Sequence, residues 1–204
     1  MLEFVLATHN KNKVREMERL LGQTLGNKVE FSVKTAEQVG VTDEIEENGS
    51  TFEENARIKA RALASDRYIS IADDSGLSVD ALGGAPGVYS ARWSGEGDAG
   101  NNQKLLRELE GKRGEERRAR FVTAVCCILP DGRELMLHGE CEGLILDAPR
   151  GEGGFGYDPL YEPLGRSFAD LSGDEKNAVS HRGRAMRALA DRLAQIYIGG
   201  TVNK

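Results

Sequence analysis

The sequence predicts an α/β fold built on a mixed β-sheet flanked by helices. Short apolar runs rich in β-forming residues alternate with segments whose apolar residues recur at helical spacing. Two of these runs, Phe121–Leu129 and Leu135–Cys141, are separated by the turn signal Pro130-Asp131-Gly132-Arg133, which indicates an antiparallel hairpin. The length of 204 residues suits one domain, 1–204, with room for two lobes. A hairpin among alternating strands and helices favours a mixed sheet over a purely parallel one.

The N-terminal segment is predicted to run from a strand through a polar turn into a helix. The strand covers Phe4–Ala7, and the helix continues to Gly22 because apolar residues recur at Val14, Met17, Leu20 and Leu21. Thr8-His9-Asn10-Lys11-Asn12-Lys13 lies between them, where free backbone N–H groups and the helix dipole attract anions. The alternative is an ordinary N-cap turn with exposed lysines, since the segment is not a glycine-rich P-loop.

A second helix is expected after the acidic segment Asp43–Glu47. Ser50 and Thr51 are candidate caps, and Thr51 has capping-box spacing to Glu54. The apolar face of this helix comprises Phe52, Ala56, Ala60, Leu63 and Ala64.

Carboxylates form the second candidate site. Tyr68–Ala72 is predicted to be a strand that ends at Asp73-Asp74-Ser75-Gly76, and Glu47 precedes the second helix. Open sheets bind ligands where strands end, and hard oxygen donors without a histidine or cysteine cluster suit Mg²⁺. The alternative is a simple Asx turn at Asp73 and Asp74.

The remaining elements are predicted from turn signals and helical periodicity. Gly83–Gly87 is a loop, Asn101–Leu109 is a short helix closed by Gly111, and the charged run Lys112–Arg120 is a solvated connection. A C-terminal amphipathic helix begins near Ser180-His181-Arg182. Its apolar positions are Ala185, Leu189, Leu193 and Ile196.

Two further segments are candidates for ligand binding. In the glycine-rich loop Gly151–Asp158, Phe155 and Tyr157 could stack on a flat ligand or could instead plug the core. The segment Lys176–Arg182 combines two fixed cations with His181, and its donors suit carbonyl or phosphate oxygens. The alternative for this segment is a basic helix start.

Composition excludes several classes of protein. A net charge of −6 and a pI of about 5.3 oppose nucleic-acid binding, which needs a basic face. No apolar run approaches the roughly 20 residues that span a bilayer, and no basic leader precedes Leu2–Leu6, so a cytoplasmic protein is expected. Cys126 and Cys127 are adjacent in an apolar run, which favours reduced core thiols over disulfides or a metal site.

Taken in order, these segments resemble the inosine triphosphate pyrophosphatase family, the non-standard purine (dITP/XTP) triphosphate pyrophosphatases. The resemblance runs nearly end to end and rests on six blocks. They are Thr8-x-Asn10-x-x-Lys13; Glu47 with Thr51-Phe52-x-Glu54-Asn55-Ala56; Ala72-Asp73-Asp74-Ser75-Gly76-Leu77; Gly83-Gly84-Ala85-Pro86-Gly87-Val88-Tyr89-Ser90-Ala91-Arg92; Gly153-Gly154-Phe155-Gly156-Tyr157-Asp158; and Glu175-Lys176 with Ser180-His181-Arg182.

The resemblance implies a two-lobed fold with a long mixed sheet, an active site in the cleft between the lobes, and a homodimer. It also implies hydrolysis of ITP, dITP and XTP between the α- and β-phosphates. Metal binding is assigned to Glu47 and Asp74, and Asp74 also accepts a proton from the attacking water. Substrate binding is assigned to Thr8, His9, Asn10, Lys11, Asn12, Lys13, Ser75, Phe155, Gly156, Tyr157, Asp158, Lys176, His181 and Arg182. In this scheme Thr8–Lys13 hold the phosphates, Phe155 stacks on the purine, and Lys176, His181 and Arg182 read its 6-oxo edge.

Two other functions are weighed against this one. The first is a non-catalytic nucleotide sensor, but the retained acids Glu47, Asp73 and Asp74 favour catalysis. The second is another metal-dependent phosphohydrolase, such as a phosphomonoesterase, and the released product distinguishes it. The sequence departs from the commoner pattern at His9, Lys11 and Trp93, which bears on substrate preference and leaves the reaction class intact.

Overall fold

The computed structural model describes residues 1–8, 11–25, 29–43 and 45–199. Short 3₁₀ helices occupy several of the connections between its longer elements. The elements of the described residues are, in chain order, β1 (Leu2–Leu6), α1 (Lys11–Leu25), β2 (Phe31–Thr35), α2 (Phe52–Ala62), β3 (Ile69–Val79), α3 (Gly97–Glu108), β4 (Arg118–Ile128), β5 (Glu134–Ile145), β6 (Tyr161–Glu162), α4 (Gly173–Val179) and α5 (His181–Ile198).

The strands of the described residues form one mixed sheet in the order β2-β1-β3-β4-β5-β6. Strand β1 pairs in parallel with β2 and β3, whereas β5 pairs antiparallel with β6. Strands β4 and β5 are neighbours joined only by residues 129–133. Such a connection is too short for parallel neighbours, which need a crossover of a dozen or more residues. The predicted α/β class, mixed sheet and hairpin are therefore confirmed.

The chain divides into two compact units. The first comprises residues 1–74, 124–138 and 185–204, and the second comprises 75–123 and 139–184. Strands β3, β4 and β5 each contribute residues to both units. The predicted division into two parts is confirmed, while the cleft stays a prediction.

The core of the first unit is built from the helices that periodicity predicted. Phe4 of β1, Leu21 of α1 and Leu189 of α5 belong to one buried cluster, and all three are fully buried. Helix α1 does not stop at Gly22 as predicted but continues to Leu25, whose side chain is also fully buried in this cluster. Burial of one more apolar side chain outweighs the weak helix-breaking preference of a glycine.

Helix α2 begins with half of the predicted capping box. The Thr51 hydroxyl accepts a hydrogen bond from the Glu54 backbone N–H at 3.2 Å. The Glu54 carboxylate, however, accepts from the backbone N–H and the hydroxyl of Ser50, both at 2.7 Å. Glu54 therefore fixes the chain one residue before the cap.

The second unit is organised around packed aromatic rings. Phe121 lies 4.6 Å from Tyr161 and 5.9 Å from Phe168, measured between ring centroids. Leu105 of α3 is fully buried in the same cluster. Helix α3 begins at Gly97, four residues before the predicted start at Asn101.

The prediction of a solvated connection over Lys112–Arg120 is wrong at its centre. Arg117 is 5% exposed, and its guanidinium donates to the carbonyl oxygens of Ile145, Leu109 and Leu146 at 2.7, 2.9 and 2.8 Å. A buried arginine is stable here because its donors are satisfied by backbone carbonyls. Strand β4 then begins at Arg118.

The cysteines are buried thiols, as predicted. Cys126, Cys127 and Cys141 are free and buried, and burial raises the pKa of the Cys126 thiol to about 12. Thiols held protonated in this way are unreactive. Among the described residues, no helix is both long and apolar enough to cross a membrane.

Candidate active site

The predicted anion-binding segment begins where β1 ends. Thr8 follows the strand, and its backbone N–H donates to the Leu6 carbonyl at 2.8 Å. Helix α1 begins at Lys11, so Lys11, Asn12 and Lys13 form the first turn of a helix. His9 and Asn10, which are predicted to belong to the same segment, lie outside the described residues. The predicted placement of a helix N-terminus after a strand is confirmed.

The acidic pair lies inside a strand, where the sequence had predicted a strand end. Strand β3 runs without interruption over Ile69–Val79 and includes Asp73, Asp74 and Ser75. The prediction that the strand stops at Asp73, and the alternative of an Asx turn, are therefore wrong. A strand fixes its side chains more rigidly than a turn does, and Asp73 is only 9% exposed.

Glu47 and Asp74 meet at the ammonium group of Lys59. The Lys59 Nζ donates to Glu47 Oε1 at 3.0 Å and lies 3.7 Å from Asp74 Oδ1. The Lys59 side chain is 10% exposed and that of Asp74 is 14% exposed. The two carboxylates that the sequence assigned to metal binding are thus close together and share one compensating cation.

Asn55 fixes the other oxygen of Asp74. Its Nδ2 donates to Asp74 Oδ2 at 3.0 Å, and its Oδ1 accepts from the Gly49 backbone N–H at 2.8 Å. Asn55 is fully buried. It therefore links the segment that follows Glu47 to the Asp74 carboxylate.

Sequence reasoning missed the roles of Asn55 and Lys59. A usable signal was present, because the two residues are four positions apart and so share one face of α2. Asn55 also stands in one of the six sequence blocks. A lysine on an amphipathic helix is usually solvated, and only its burial beside two acids distinguishes Lys59.

Burial dominates the electrostatics of Asp74. It raises the pKa of this carboxyl above its ordinary value, and the negative charges of Glu47 and Asp73 act in the same direction. Lys59 and the Asn55 hydrogen bond oppose the increase. A carboxylate with a raised pKa is a better proton acceptor than an ordinary aspartate.

The donor set fits a hard divalent cation. Glu47 and Asp74 offer carboxylate oxygens, and both lie near the same point because each contacts the Lys59 ammonium. The described residues contain no group of three or more His, Cys, Asp or Glu side chains arranged to hold a metal ion. Magnesium commonly takes only one or two protein carboxylates and completes its shell with water and phosphate, so two acids are enough.

In the second unit, the glycine-rich loop presents one aromatic ring and buries the other. Phe155 is 58% exposed, whereas Tyr157 is 4% exposed and its hydroxyl donates to the Ser90 carbonyl at 3.0 Å. Tyr157 thus packs into the core as the second alternative predicted, whereas stacking of Phe155 on a ligand stays a prediction. Ser75, also in this unit, has its hydroxyl 2.7 Å from that of Thr123.

Asp158 is a buried residue of the glycine-rich loop whose carboxylate contacts other residues of the site. It is 2% exposed, and its Oδ2 accepts from the Phe155 backbone N–H at 2.9 Å and pairs with the Lys176 ammonium. Gly154 is required here, because a Cβ at this position would collide with the Asp158 carboxylate. The acid therefore fixes the backbone that carries Phe155.

Lys176 connects the loop to α4. Its Nζ lies 4.6 Å from the centroid of the exposed Phe155 ring and 5.3 Å from that of Phe168. Cation–π attraction at such distances holds the ring and the ammonium together. The sequence placed Phe155, Asp158 and Lys176 in one site, and the structure brings these three together.

His181 and Arg182 begin helix α5. His181 is 6% exposed and its ring stacks on Phe121, with centroids 4.8 Å apart and an interplanar angle of 10°. Arg182 is half-buried beside it. Packing on the aromatic core fixes the direction of the imidazole ring.

The fold and these residues define an α/β protein with a compensated carboxylate pair suited to a hard cation and a loop whose exposed ring suits a flat ligand. The profile of the Ham1 family matches residues 4–192. The dITP/XTP pyrophosphatase of Bacillus anthracis is 46% identical over 206 residues, covering 98% of this chain and 100% of the relative. This chain belongs to the Ham1 family.

Solved structures agree with this assignment. A HAM1 protein from Coxiella burnetii has a TM-score of 0.85 and 42% identity, with 96% of this chain and 100% of that chain covered. The Ham1 protein of Staphylococcus aureus has a TM-score of 0.82 and 36% identity, with coverages of 95% and 99%. The resemblance stated from the sequence is therefore confirmed.

Proposed function

We propose that this protein hydrolyses the deaminated purine nucleoside triphosphates ITP, dITP and XTP to the nucleoside monophosphate and pyrophosphate. Such a reaction removes these nucleotides from the nucleotide pool. The observation that carries the proposal is the near-full-length similarity to proteins named dITP/XTP pyrophosphatase. The geometry supports it, because the acids needed for phosphoanhydride hydrolysis and an exposed ring suited to a base are both present.

Asp74 is the catalytic residue of this proposal. Its carboxylate accepts a proton from the water that attacks the phosphorus atom, and the bond to the pyrophosphate leaving group breaks. Burial suits Asp74 to this task because it raises the pKa, while Asn55 and Lys59 fix one oxygen each. Lys59 also keeps part of the acid charge compensated before substrate binds.

We propose magnesium as the cofactor, held by Glu47 and Asp74. When bound, it would neutralise charge on the phosphoryl oxygens. Phosphate binding is assigned to Thr8, His9, Asn10, Lys11, Asn12 and Lys13, where the first turn of α1 offers backbone donors and lysine charge. Ser75 is assigned a substrate contact.

Base recognition is assigned to the second unit. Phe155 stacks on the purine ring, and Gly156, Tyr157 and Asp158 complete the pocket, the last two from buried positions that fix the loop. Lys176, His181 and Arg182 donate to the 6-oxo group. Adenosine presents an amino group at this position. The side-chain donors would then face another hydrogen-bond donor and stay unpaired, and unpaired buried donors strongly weaken binding of a ligand.

The wider expectations are part of the same proposal. They comprise a single catalytic domain over 1–204, an active site in a cleft, a homodimer, a cytoplasmic location and no role in nucleic-acid binding. The acidic net charge of −6 supports the last of these.

The decisive experiment is a panel of purine triphosphates with product identification, in magnesium and after chelation. We expect pyrophosphate and monophosphate from ITP, dITP and XTP, little turnover of ATP, and no turnover after chelation. Release of orthophosphate would instead indicate a phosphomonoesterase. Binding of ITP without turnover would indicate a nucleotide sensor.

A further inference from the structure

Helix α3 holds the backbone of Gly156 from both sides. The Gly156 N–H donates to Asp98 Oδ2 at 2.9 Å, and the Gly156 carbonyl accepts from Asn102 Nδ2 at 2.9 Å. Asp98 and Asn102 are four residues apart and therefore project from one face of the helix. Asp98 and Asn102 of α3 thus fix the two peptide groups that flank the Gly156 Cα.

Gly156 has the backbone conformation that this arrangement needs. Its φ is +61°, in the left-handed region that glycine adopts without strain. No atom lies within 4 Å of the place where a Cβ would stand, so the glycine is required by its conformation rather than by crowding.

Helix α3 is itself fixed by hydrogen bonds, so it can hold the glycine-rich loop in a defined position. Asn101, 1% exposed, accepts from the Ser94 backbone N–H at 2.8 Å and donates to the carbonyls of Ser90 and Ala91, both at 3.2 Å. Tyr157 donates to the same Ser90 carbonyl. Tyr157 of the loop and Asn101 of α3 are therefore hydrogen-bonded to the same carbonyl oxygen, that of Ser90.

The result is a fixed backbone that carries an exposed ring. The Asp158 carboxylate accepts from the Phe155 N–H and α3 holds Gly156, yet Phe155 is 58% exposed. Burial of apolar surface does not explain so much anchoring of a ring that stays in solvent. Anchoring does reduce the ordering cost that a ligand would otherwise meet on binding.

Asn102 shows a further sign of specialisation. Its Oδ1 is buried and has no hydrogen-bond partner among the described residues. A half-satisfied buried amide is a poor choice for stability alone. Its Nδ2 donates to the Gly156 carbonyl, which an apolar side chain could not do.

We propose that Asp98 and Asn102 are positioning residues for base recognition, which hold Gly156 so that the Phe155 ring is preset for stacking on the purine. This inference rests on the proposed function for its ligand. It extends the site to a helix that neither the sequence pattern nor the site assignments above included.

The test combines amide hydrogen exchange with steady-state kinetics on the full chain. The variants are Asp98→Ala and Asn102→Ala, each alone and combined with Phe155→Ala. Gln103→Ala and Glu108→Ala are matched controls, because both residues are exposed on the same helix. Asp98→Asn is the conservative variant, since its side-chain oxygen can still accept from the Gly156 N–H.

Without nucleotide, we expect faster exchange over residues 153–158 in both alanine variants and wild-type exchange in the controls. With ITP, each alanine variant should raise KM about fivefold, the effect of one lost hydrogen bond, with kcat within about twofold. Asp98→Asn should restore most of the KM. In the Phe155→Ala background neither alanine change should raise KM further, because the ring through which they act is gone.

Unchanged exchange over 153–158 would overturn the inference, whatever the substrate is. An undiminished KM increase in the Phe155→Ala background would also overturn it, because the effect would then not pass through the ring. Failure of the proposed function is seen separately. In that case the wild-type protein does not hydrolyse ITP, although the alanine variants still show faster amide exchange than the wild type over residues 153–158.

Discussion

Replacing Lys59 by Met should destabilise the protein strongly at neutral pH and much less in acid. Methionine keeps the unbranched chain but removes the charge that Glu47 and Asp74 share. Breaking a buried ion pair costs about 3–5 kcal/mol, whereas exposed pairs contribute about 0.2–1 kcal/mol. The side chains of Lys59 and Asp74 are 10% and 14% exposed, but that of Glu47 is 33% exposed. The expected loss of folding free energy therefore lies between the values for exposed and for buried pairs.

We therefore expect a loss of about 2–3 kcal/mol, which lowers Tm by roughly 4–12 °C for a chain of this size. The loss should depend on pH. Burial raises the pKa of Asp74 and Lys59 opposes this, so the pKa rises further in the variant. The folded variant then binds protons at a higher pH than the unfolded chain does, and its stability relative to wild type increases as the pH falls.

The assay is thermal unfolding of wild type and variant from pH 7 down to about pH 4, the ordinary range of carboxyl titration. Arg61→Met is the matched control, because Arg61 lies on the same helix and pairs with Glu134 at 3.1 Å but is 65% exposed. It should cost at most about 1 kcal/mol. The reasoning is refuted if Lys59→Met and Arg61→Met lower Tm equally at pH 7, or if the Lys59→Met deficit stays constant with pH.

Four further variants test the assigned roles. Asp74→Asn should nearly abolish turnover at saturating magnesium, because an amide is a poor proton acceptor and a weaker magnesium ligand than a carboxylate. The variant should still unfold cooperatively. Near-normal turnover would show that Asp74 is not the catalytic residue. Glu47→Gln, compared in the same magnesium titration, should lose activity more mildly, through metal affinity. Phe155→Ala should raise KM for every purine triphosphate by a similar factor, since stacking contributes about 1–3 kcal/mol per base, and an unchanged KM would show that the ring does not bind the base. Arg182→Ala should reduce the preference for ITP over ATP, measured as the ratio of kcat/KM values, by roughly ten- to a hundredfold, whereas an equal loss for both would mean that Arg182 does not read the 6-oxo group.

Most of the fold was predictable because its helices and strands depend on local patterns. Leu189 and Leu193 recur at helical spacing, and both are fully buried on α5. The main error came from Asp73-Asp74-Ser75-Gly76, whose composition is typical of a turn. Strand β3 passes through it as a central strand of the sheet between β1 and β4, and Asp74 there contacts Asn55 and Lys59, partners that the local sequence does not reveal.

Residues of the candidate site could be proposed from the sequence where they carry recognisable motifs, and not where they only support such residues. Lys59 lies on a helix whose pattern is that of an ordinary amphipathic segment, and Asp98 lies in a polar stretch before the predicted start of α3. Both act on residues far along the chain. Asp98 contacts Gly156 across 58 residues, and no periodicity or spacing encodes such a contact.

In the proposed function, hydrolysis and base selection depend on separate sets of residues, so the proposal must hold for each set. The proposal assigns metal binding and proton transfer to Glu47 and Asp74, which pair with Lys59, and assigns binding of the purine ring to Phe155 and Lys176. An enzyme that acted on phosphate groups alone would lose activity only through the first set. An enzyme selective for deaminated purines must also lose affinity or selectivity through the second, with its metal dependence unchanged. The exposure of Phe155 beside the Lys176 ammonium favours the selective enzyme, because an exposed ring with an anchored backbone contributes nothing to phosphate chemistry.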